Sequence, residues 1–244
     1  MAESTQWLAG SALVVVCTAP VVALGLATAR GRRWGAAALF LVLLFVDGLV
    51  VSAPSAFGVG LIPGASWNWT GKAASVVLMV GAVAVGLVSR EAAGLTVRQR
   101  AGSVRPAALV TAALVALGAA IGWAFGGGGP LRPEALAYQL TAPGVAEEVA
   151  LRGVLFALAH RAFAEPDGDL ASWRTALATT LAFAFTHSPA LVHGAVVFEP
   201  LPFLLPLVGG VALWWLRERT GSVVWPVLAH NGLNAAIVGA GALA

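Results

Sequence analysis

Apolar residues fall in repeated blocks near 20 residues long, separated by short stretches that hold most of the arginines. A block of that length, wound as a helix, crosses the roughly 30 Å hydrocarbon core of a bilayer. Eight segments can be read: about Trp7–Ala29, Trp34–Phe57, Lys72–Ser89, Pro106–Phe125, Glu134–Phe163, Trp173–Leu191, Pro200–Leu216 and Val223–Ala242. The seventh is short and contains Pro202 and Pro206, which leaves its start the least defined. The expected fold class is therefore all-α: a polytopic membrane protein of about eight transmembrane helices bundled around an intramembrane polar cavity. Residues 1–244 are read as a single integral membrane domain.

Positive charge tests the count and orients it, because cytoplasmic loops collect Lys and Arg. With the N-terminus outside, the inner loops hold Arg30, Arg32, Arg33, Arg90, Arg98, Arg100, Arg105, Arg161, Arg174, Arg217 and Arg219, eleven in all. The outer loops hold only Lys72 and Arg132, and Arg152 lies within a span. Such asymmetry predicts eight spans with both termini outside. Met1 to Trp7 contains Glu3 and no Lys or Arg, so it lacks the positive start of a signal peptide, and the first apolar block is expected to be a retained span. Gly126-Gly-Gly-Gly-Pro130 reads as a flexible outer turn, and the loop from Leu61 to Trp69 places two tryptophans where a headgroup interface favours them.

Composition narrows the function classes. The 244 residues are 59% hydrophobic and 10% charged, with a mean hydropathy of +0.87. The formal charge of +3 does not imply a nucleic-acid partner, since the arginines sit between apolar segments. Cys17 is the single cysteine, so neither an intrachain disulfide nor a cysteine-based metal site can form. Glu165, Asp167 and Asp169 resemble a calcium loop only faintly, because ligands at the proper spacing are missing, and a solvated turn is the better reading. The Ala- and Gly-rich, Arg-over-Lys composition suggests a GC-rich bacterial genome, hence a bacterial cytoplasmic membrane.

Against this background Glu147, Glu148 and Arg152 stand out, three ionisable groups inside a predicted span. Each would cost roughly 2.5–3.5 kcal/mol near the bilayer centre if uncompensated. A cluster of this kind marks a functional site by default. Asp47, His187, His230 and Asn234 are further polar residues within spans. At about 1.5 Å per residue, Glu147, His187 and Asn234 each lie about 20 Å along their helices, near one depth. Glu148 and Arg152 are four apart, in the favourable order for an ion pair, which would turn Glu147 about 100° around the helix toward a cavity. Phe183 and His187, and His230 and Asn234, are also four apart and share a face. Asp47 stands alone and is expected to serve as an interhelical hydrogen bond. A set of satisfied polar residues locking helices together is the competing account of such a cluster.

Taken together, these residues resemble a known family. Glu147-Glu148-Val-Ala-Leu-Arg152 fits EExxxR, Phe183-Ala-Phe-Thr-His187 fits FxxxH, and His230-Asn-Gly-Leu-Asn234 fits HxxxN. In order and spacing they are similar to the CPBP family, which includes CAAX prenyl protease 2 (type II CAAX endopeptidase) and bacteriocin-processing or immunity proteins. The resemblance covers about residues 143–236 and implies a catalytic core over residues 134–242. It implies an intramembrane endopeptidase of the glutamate type, with a peptide or membrane-protein substrate and the lipid bilayer as its partners and no cofactor. Carried over residue by residue, Glu147 would be the general base and His187 its partner in activating water. His230 and Asn234 would stabilise the oxyanion, with Glu148, Arg152 and Phe183 in support. A carboxylate already neutralised by Arg is a weaker proton acceptor, which favours Glu147 over Glu148 as base.

Other readings stay open from sequence. A zinc-dependent protease could use Glu147, His187 and His230 as ligands with an open position for water, although HExxH is absent and His187 and His193 are six apart. No GxSxG motif supports serine catalysis, and Ser188-Pro189 reads as a helix-ending turn. A proton-coupled transporter predicts a polar path reaching both faces, whereas the polar residues are expected to cluster in the second half of the chain. A catalytically idle scaffold is the third alternative, and the intact motif set argues against it.

Overall fold

The computed structural model describes residues 6–164 and 169–244, with side chains for 6–164 and 173–244. Glu3 of the N-terminal stretch and Glu165 and Asp167 of the suggested calcium loop fall outside that description, as does the side chain of Asp169. The helices are α1 (Gln6–Thr28), α2 (Trp34–Ala56), α3 (Trp69–Ala84), α4 (Val104–Phe125), α5 (Pro133–Glu148), α6 (Leu155–Ala162), α7 (Asp169–Phe185), α8 (Pro200–Thr220) and α9 (Val224–Gly241). A π-helical segment, Val149–Val154, joins α5 to α6 without a break. The described residues therefore form eight helical rods, as the hydropathy blocks predict.

Four of them, α1, α2, α4 and α8, are long and apolar enough to cross a membrane, and α3 is a shorter apolar helix. The rods that carry the three motifs are not among these four, because polar residues interrupt them. Large side chains such as Val16, Leu24, Val77, Leu109 and Leu201 are exposed. That outside-apolar pattern is what a hydrocarbon solvent selects. These helices are those of an all-α integral membrane protein, as the hydropathy blocks predict.

Boundaries differ from the sequence reading in the third, sixth and seventh rods. The third rod is α3, which begins at Trp69, so Lys72 sits in its first turn rather than in an outer loop. The sixth ends at Phe185, and beyond it Ala190–Val192 pairs antiparallel with Ala195–Val197 in a short hairpin that hydropathy does not reveal. His187 consequently lies in the turn after α7, not within a helical span. Helix α8 continues to Thr220 and stops at Gly221, whose φ of 74° supplies the left-handed cap. Arg217, expected in a loop, is instead buried at that helix end.

Backbone contact replaces side-chain packing where α4 meets α9. A Cβ built on Gly118 would stand 2.4 Å from the Leu233 carbonyl oxygen, and one on Gly122 would stand 2.3 Å from that of Ile237. Gly126 approaches the Cα of Gly241 in the same way. The three glycines are four residues apart, so they form one stripe along α4, the small-residue solution to close helix packing in membranes. This contact holds α9, and with it His230 and Asn234, in a fixed place.

The π-helical segment has its own support. The Leu155 N–H reaches the Ala150 carbonyl five residues back, the wider turn that defines such a bulge and that recurs at functional sites. Arg217 lies against it, donating from Nε to the Arg152 carbonyl at 2.8 Å and from Nη2 to the Ala92 carbonyl at 2.7 Å. Its guanidinium also covers the Phe156 ring at 4.7 Å.

Candidate active site

Pro143 has no N–H to give to the helical ladder of α5, and the turn around it opens. Asn231 of α9 fills the gap, accepting from Gly144 N at 2.8 Å and donating to the Thr141 carbonyl at 3.2 Å. That amide staple brings α5 and α9 face to face one turn before the glutamates. Sequence reasoning passes over Asn231 because it lies between His230 and Asn234 in the motif. The signal that finds it is Pro143-Gly144 within a span, where freed backbone groups must be met from a neighbouring helix.

Glu148 and Arg152 form the predicted ion pair at 3.3 Å, and both side chains are fully buried. Arg152 also donates from Nη2 to the Gly210 carbonyl at 3.1 Å, and its guanidinium lies 4.5 Å over the Phe183 ring. Gly210 permits this approach, since a Cβ there would meet Thr180 and Arg152. The second hydrogen bond to Glu148 Oε1 comes from His230 Nδ1, at 2.8 Å. An ionised carboxylate can only accept, so Nδ1 is the protonated nitrogen and Nε2 is left for the cavity.

Glu147 faces the other way, as its helical phase predicts, but it is not free. Lys72 Nζ of α3 stands 2.6 Å from Glu147 Oε1. Its second oxygen, Oε2, is buried without a hydrogen bond and lies 3.8 Å from His230 Nε2, too far for a direct bond. The expectation that only Glu148 is neutralised by a cation is thus overturned: both glutamates are ion-paired. What separates them is access, since Glu147 is 20% exposed and Glu148 is 0% exposed.

His187 packs its ring edge-on to Phe183, with centroids 4.9 Å apart, and the His230 ring lies 5.7 Å from the same phenyl. Nδ1 of His187 is 3.0 Å from the Phe183 carbonyl, which can only accept, so this nitrogen donates and Nε2 is unprotonated in the neutral ring. Phe183 is therefore the common support of Arg152, His187 and His230.

Two cavities meet at this point, and Lys72, Glu147 and His187 line both. One, of about 450 Å³, lies among α1, α2 and α3 and is lined by Ser11, Asp47, Ser52 and Ser75 as well as by Trp7 and Leu44. The other, of about 580 Å³, lies among α4, α5, α8 and α9 and is mostly apolar, with Leu114, Leu117, Leu205 and Ile237 on its walls. Asn234 opens onto the second cavity beside His230. The structure thus assembles all four expected residues, Glu147, His187, His230 and Asn234, around the same space.

Asp47 is not alone. It accepts from Ser75 Oγ at 2.6 Å, the expected interhelical bond, yet it lines the first cavity together with Lys72 and Glu147. Polar groups from α2 and α3 accordingly join the site, correcting the expectation that they are confined to the second half of the chain. The zinc set considered from sequence does not form. Among the described residues no three His, Cys, Asp or Glu side chains are placed to hold an ion. Glu147 Oε1 is taken by Lys72, and His230 Nδ1 by Glu148.

With this geometry in hand, comparison with known proteins is informative. Residues 131–236 match the family described as Type II CAAX prenyl endopeptidase Rce1-like. That stretch contains every motif residue named above and none of α1 to α4. No curated protein and no solved structure matches the chain.

Proposed function

We propose that the chain, whose residues 131–236 match the Rce1-like type II CAAX prenyl endopeptidase family, is an intramembrane peptidase that hydrolyses its peptide or protein substrate by glutamate catalysis at Glu147. The observation that carries this is the unpartnered Oε2 of Glu147, which lies across 3.8 Å from His230 Nε2 where two cavities meet. A water in that gap can hydrogen-bond to both groups. Glu147 Oε2 accepts the proton of the water, and His187 Nε2, unprotonated on its cavity side, orients it. The hydroxide oxygen attacks the carbonyl carbon of the scissile bond. Negative charge then develops on the carbonyl oxygen, and the Asn234 side-chain amide supplies a donor to it beside His230. Glu147 finally returns its proton to the departing amine, completing the hydrolysis.

Glu148 has a different part. It orients His230 by accepting from Nδ1, as a buried carboxylate does for a catalytic imidazole elsewhere. Arg152 offsets the charge of Glu148, and Phe183 holds the two histidines in place. We place the arginine-rich end of the bundle on the inner side of a bacterial cytoplasmic membrane, with both termini outside. Moving Lys72 from loop to site leaves Arg132 as the outer loops' one positive residue, which sharpens the asymmetry.

The test is terminus-resolved mass spectrometry of membrane and secreted peptides from cells carrying wild type or Glu147→Gln at matched abundance. The amide still accepts from Lys72, so the fold is expected to persist. Removing a general base lowers the rate by about 10²–10⁴-fold, and a set of new termini should disappear with it. Wild-type turnover by the variant would refute the base assignment.

A further inference from the structure

The shortest charged contact in the site reaches outside the family-matched region. Lys72 belongs to α3, whereas the match begins at residue 131. Its position is set locally. Asn68 caps α3 by accepting from Gly71 N at 3.0 Å, and the same amide donates to the Val51 carbonyl of α2 at 2.8 Å. Lys72 is therefore delivered by a turn pinned to two helices, and its side chain is 15% exposed at the wall shared by both cavities.

We propose that Lys72 is a positioning residue for the hydrolysis. By binding Oε1, it fixes the carboxylate so that Oε2 faces His230 and is the oxygen that takes the proton from water. This rests on the assignment of Glu147 as base. A glutamate side chain has three rotatable bonds, and a carboxylate bound at neither oxygen would spread over several rotamers in a cavity of this size. The ammonium removes that freedom at one oxygen only.

The surrounding charges agree with this division. Glu147 is faced by Lys72 from α3, by His230 from α9 and by His187 from the turn after α7, while Glu148 and Arg152 of its own rod form a separate pair. Asp47 of α2 lies close enough to act electrostatically on Lys72 and is itself held by Ser75. Lys72 is thus suspended between two carboxylates, with the stronger contact to Glu147. A purely structural salt bridge, such as that of Glu148 with Arg152, would not need a place at the junction of two cavities.

The experiment adds purified full-length variants to a detergent extract of membranes from the Glu147→Gln strain, in which uncut substrate accumulates, and measures the initial rate at which the Glu147-dependent termini appear. Lys72→Ala is expected to lower that rate about 10²-fold, the scale of a misplaced catalytic group. Addition of n-propylamine, which replaces the missing part of the side chain, is expected to recover at least tenfold of it, on the order of 1.4 kcal/mol. Lys72→Arg keeps the charge and should retain most of the rate. Glu147→Gln should stay inactive with or without the amine. A Lys72→Ala protein that melts and elutes like wild type would overturn the proposal if its rate were unchanged or if propylamine had no effect. If Lys72→Ala does not fold, Lys72→Met keeps the apolar stem, and its working at the wild-type rate would overturn the proposal equally. Loss of activity in Glu147→Gln together with a normal rate in the Lys72 variant refutes only the role of Lys72. Turnover by Glu147→Gln refutes the base assignment and the positioning role together.

Discussion

Glu147 and Glu148 are consecutive in the chain, yet they inhabit two regions with opposite rules. Glu148 lies behind the π-helical segment, 0% exposed, with Arg152 and His230 both on Oε1. The walls there are Phe183 and Gly210, and no cavity-lining set includes Glu148. Glu147 opens onto two cavities, holds one cation through one oxygen, and presents the other oxygen to His230. An enclosed carboxylate with its partners on the same and neighbouring rods can orient and neutralise, but it cannot reach a substrate. Both carboxylates keep one oxygen without a hydrogen bond, but only Glu147 lines the cavities. The difference arises from what packs on each side: α8 and α9 close over Glu148, whereas around Glu147 the first turn of α3, His230 and the turn after α7 leave two cavities open. Neither ion pair by itself identifies the base, and access is what favours Glu147 for the proposed role.

If the regions differ in this way, they should fail differently. The largest stability effect is expected from Arg152→Ala, which leaves Glu148 charged, buried and without its cation. Breaking a buried pair from one side costs about 3–5 kcal/mol, so protein abundance and the detergent melting temperature should both fall well below those of Glu147→Gln. Equal abundance of the two variants would mean that Glu148 is not the enclosed member. Next comes Asn231→Ala, which leaves the Gly144 N–H unsatisfied beside Pro143. A loss of about 1–3 kcal/mol is expected, with a slower reaction as well, because α5 and α9 carry facing parts of the site. Loss of stability with an unchanged rate would show that the staple acts on the fold alone.

Much of this architecture is legible in the sequence, and what is not has physical causes. Hydropathy shows the eight rods because each must cover about the same hydrocarbon thickness. The pair Glu148–Arg152 is legible because (i, i+4) spacing works within one rod, here through a π-helical turn that spacing alone does not show. The hairpin after His187 is too short to leave a periodic signal. Lys72 reads as a loop residue because it lies at the edge of an apolar block, where lysine is common. Only the fold reveals that it meets Glu147, 75 positions later. Asp47 reads as solitary for the same reason, since its partners Ser75 and Lys72 come from another helix. Gly118, Gly122 and Gly126 could have been found by their spacing alone, as three glycines four apart within a span mark a close helix contact.

The smallest expected effect sharpens the boundary of the open region. Asp47→Asn keeps an acceptor for Ser75 Oγ, so the hydrogen bond of 2.6 Å can survive while the charge is removed. Its net stability change should be within about 1 kcal/mol, the scale of one neutral hydrogen bond. With Asp47 neutral, Lys72 loses its second carboxylate and is drawn more fully to Glu147, so the rate should change by only a few-fold, less than 1 kcal/mol in transition-state stabilisation. A loss comparable to that of Lys72→Ala would make Asp47 part of the machinery, because the charge of α2 would then be needed to hold the lysine at its working distance. A measured rate near wild type places the edge of the reactive region at Lys72 and leaves Asp47 as the interhelical tie of the polar cavity.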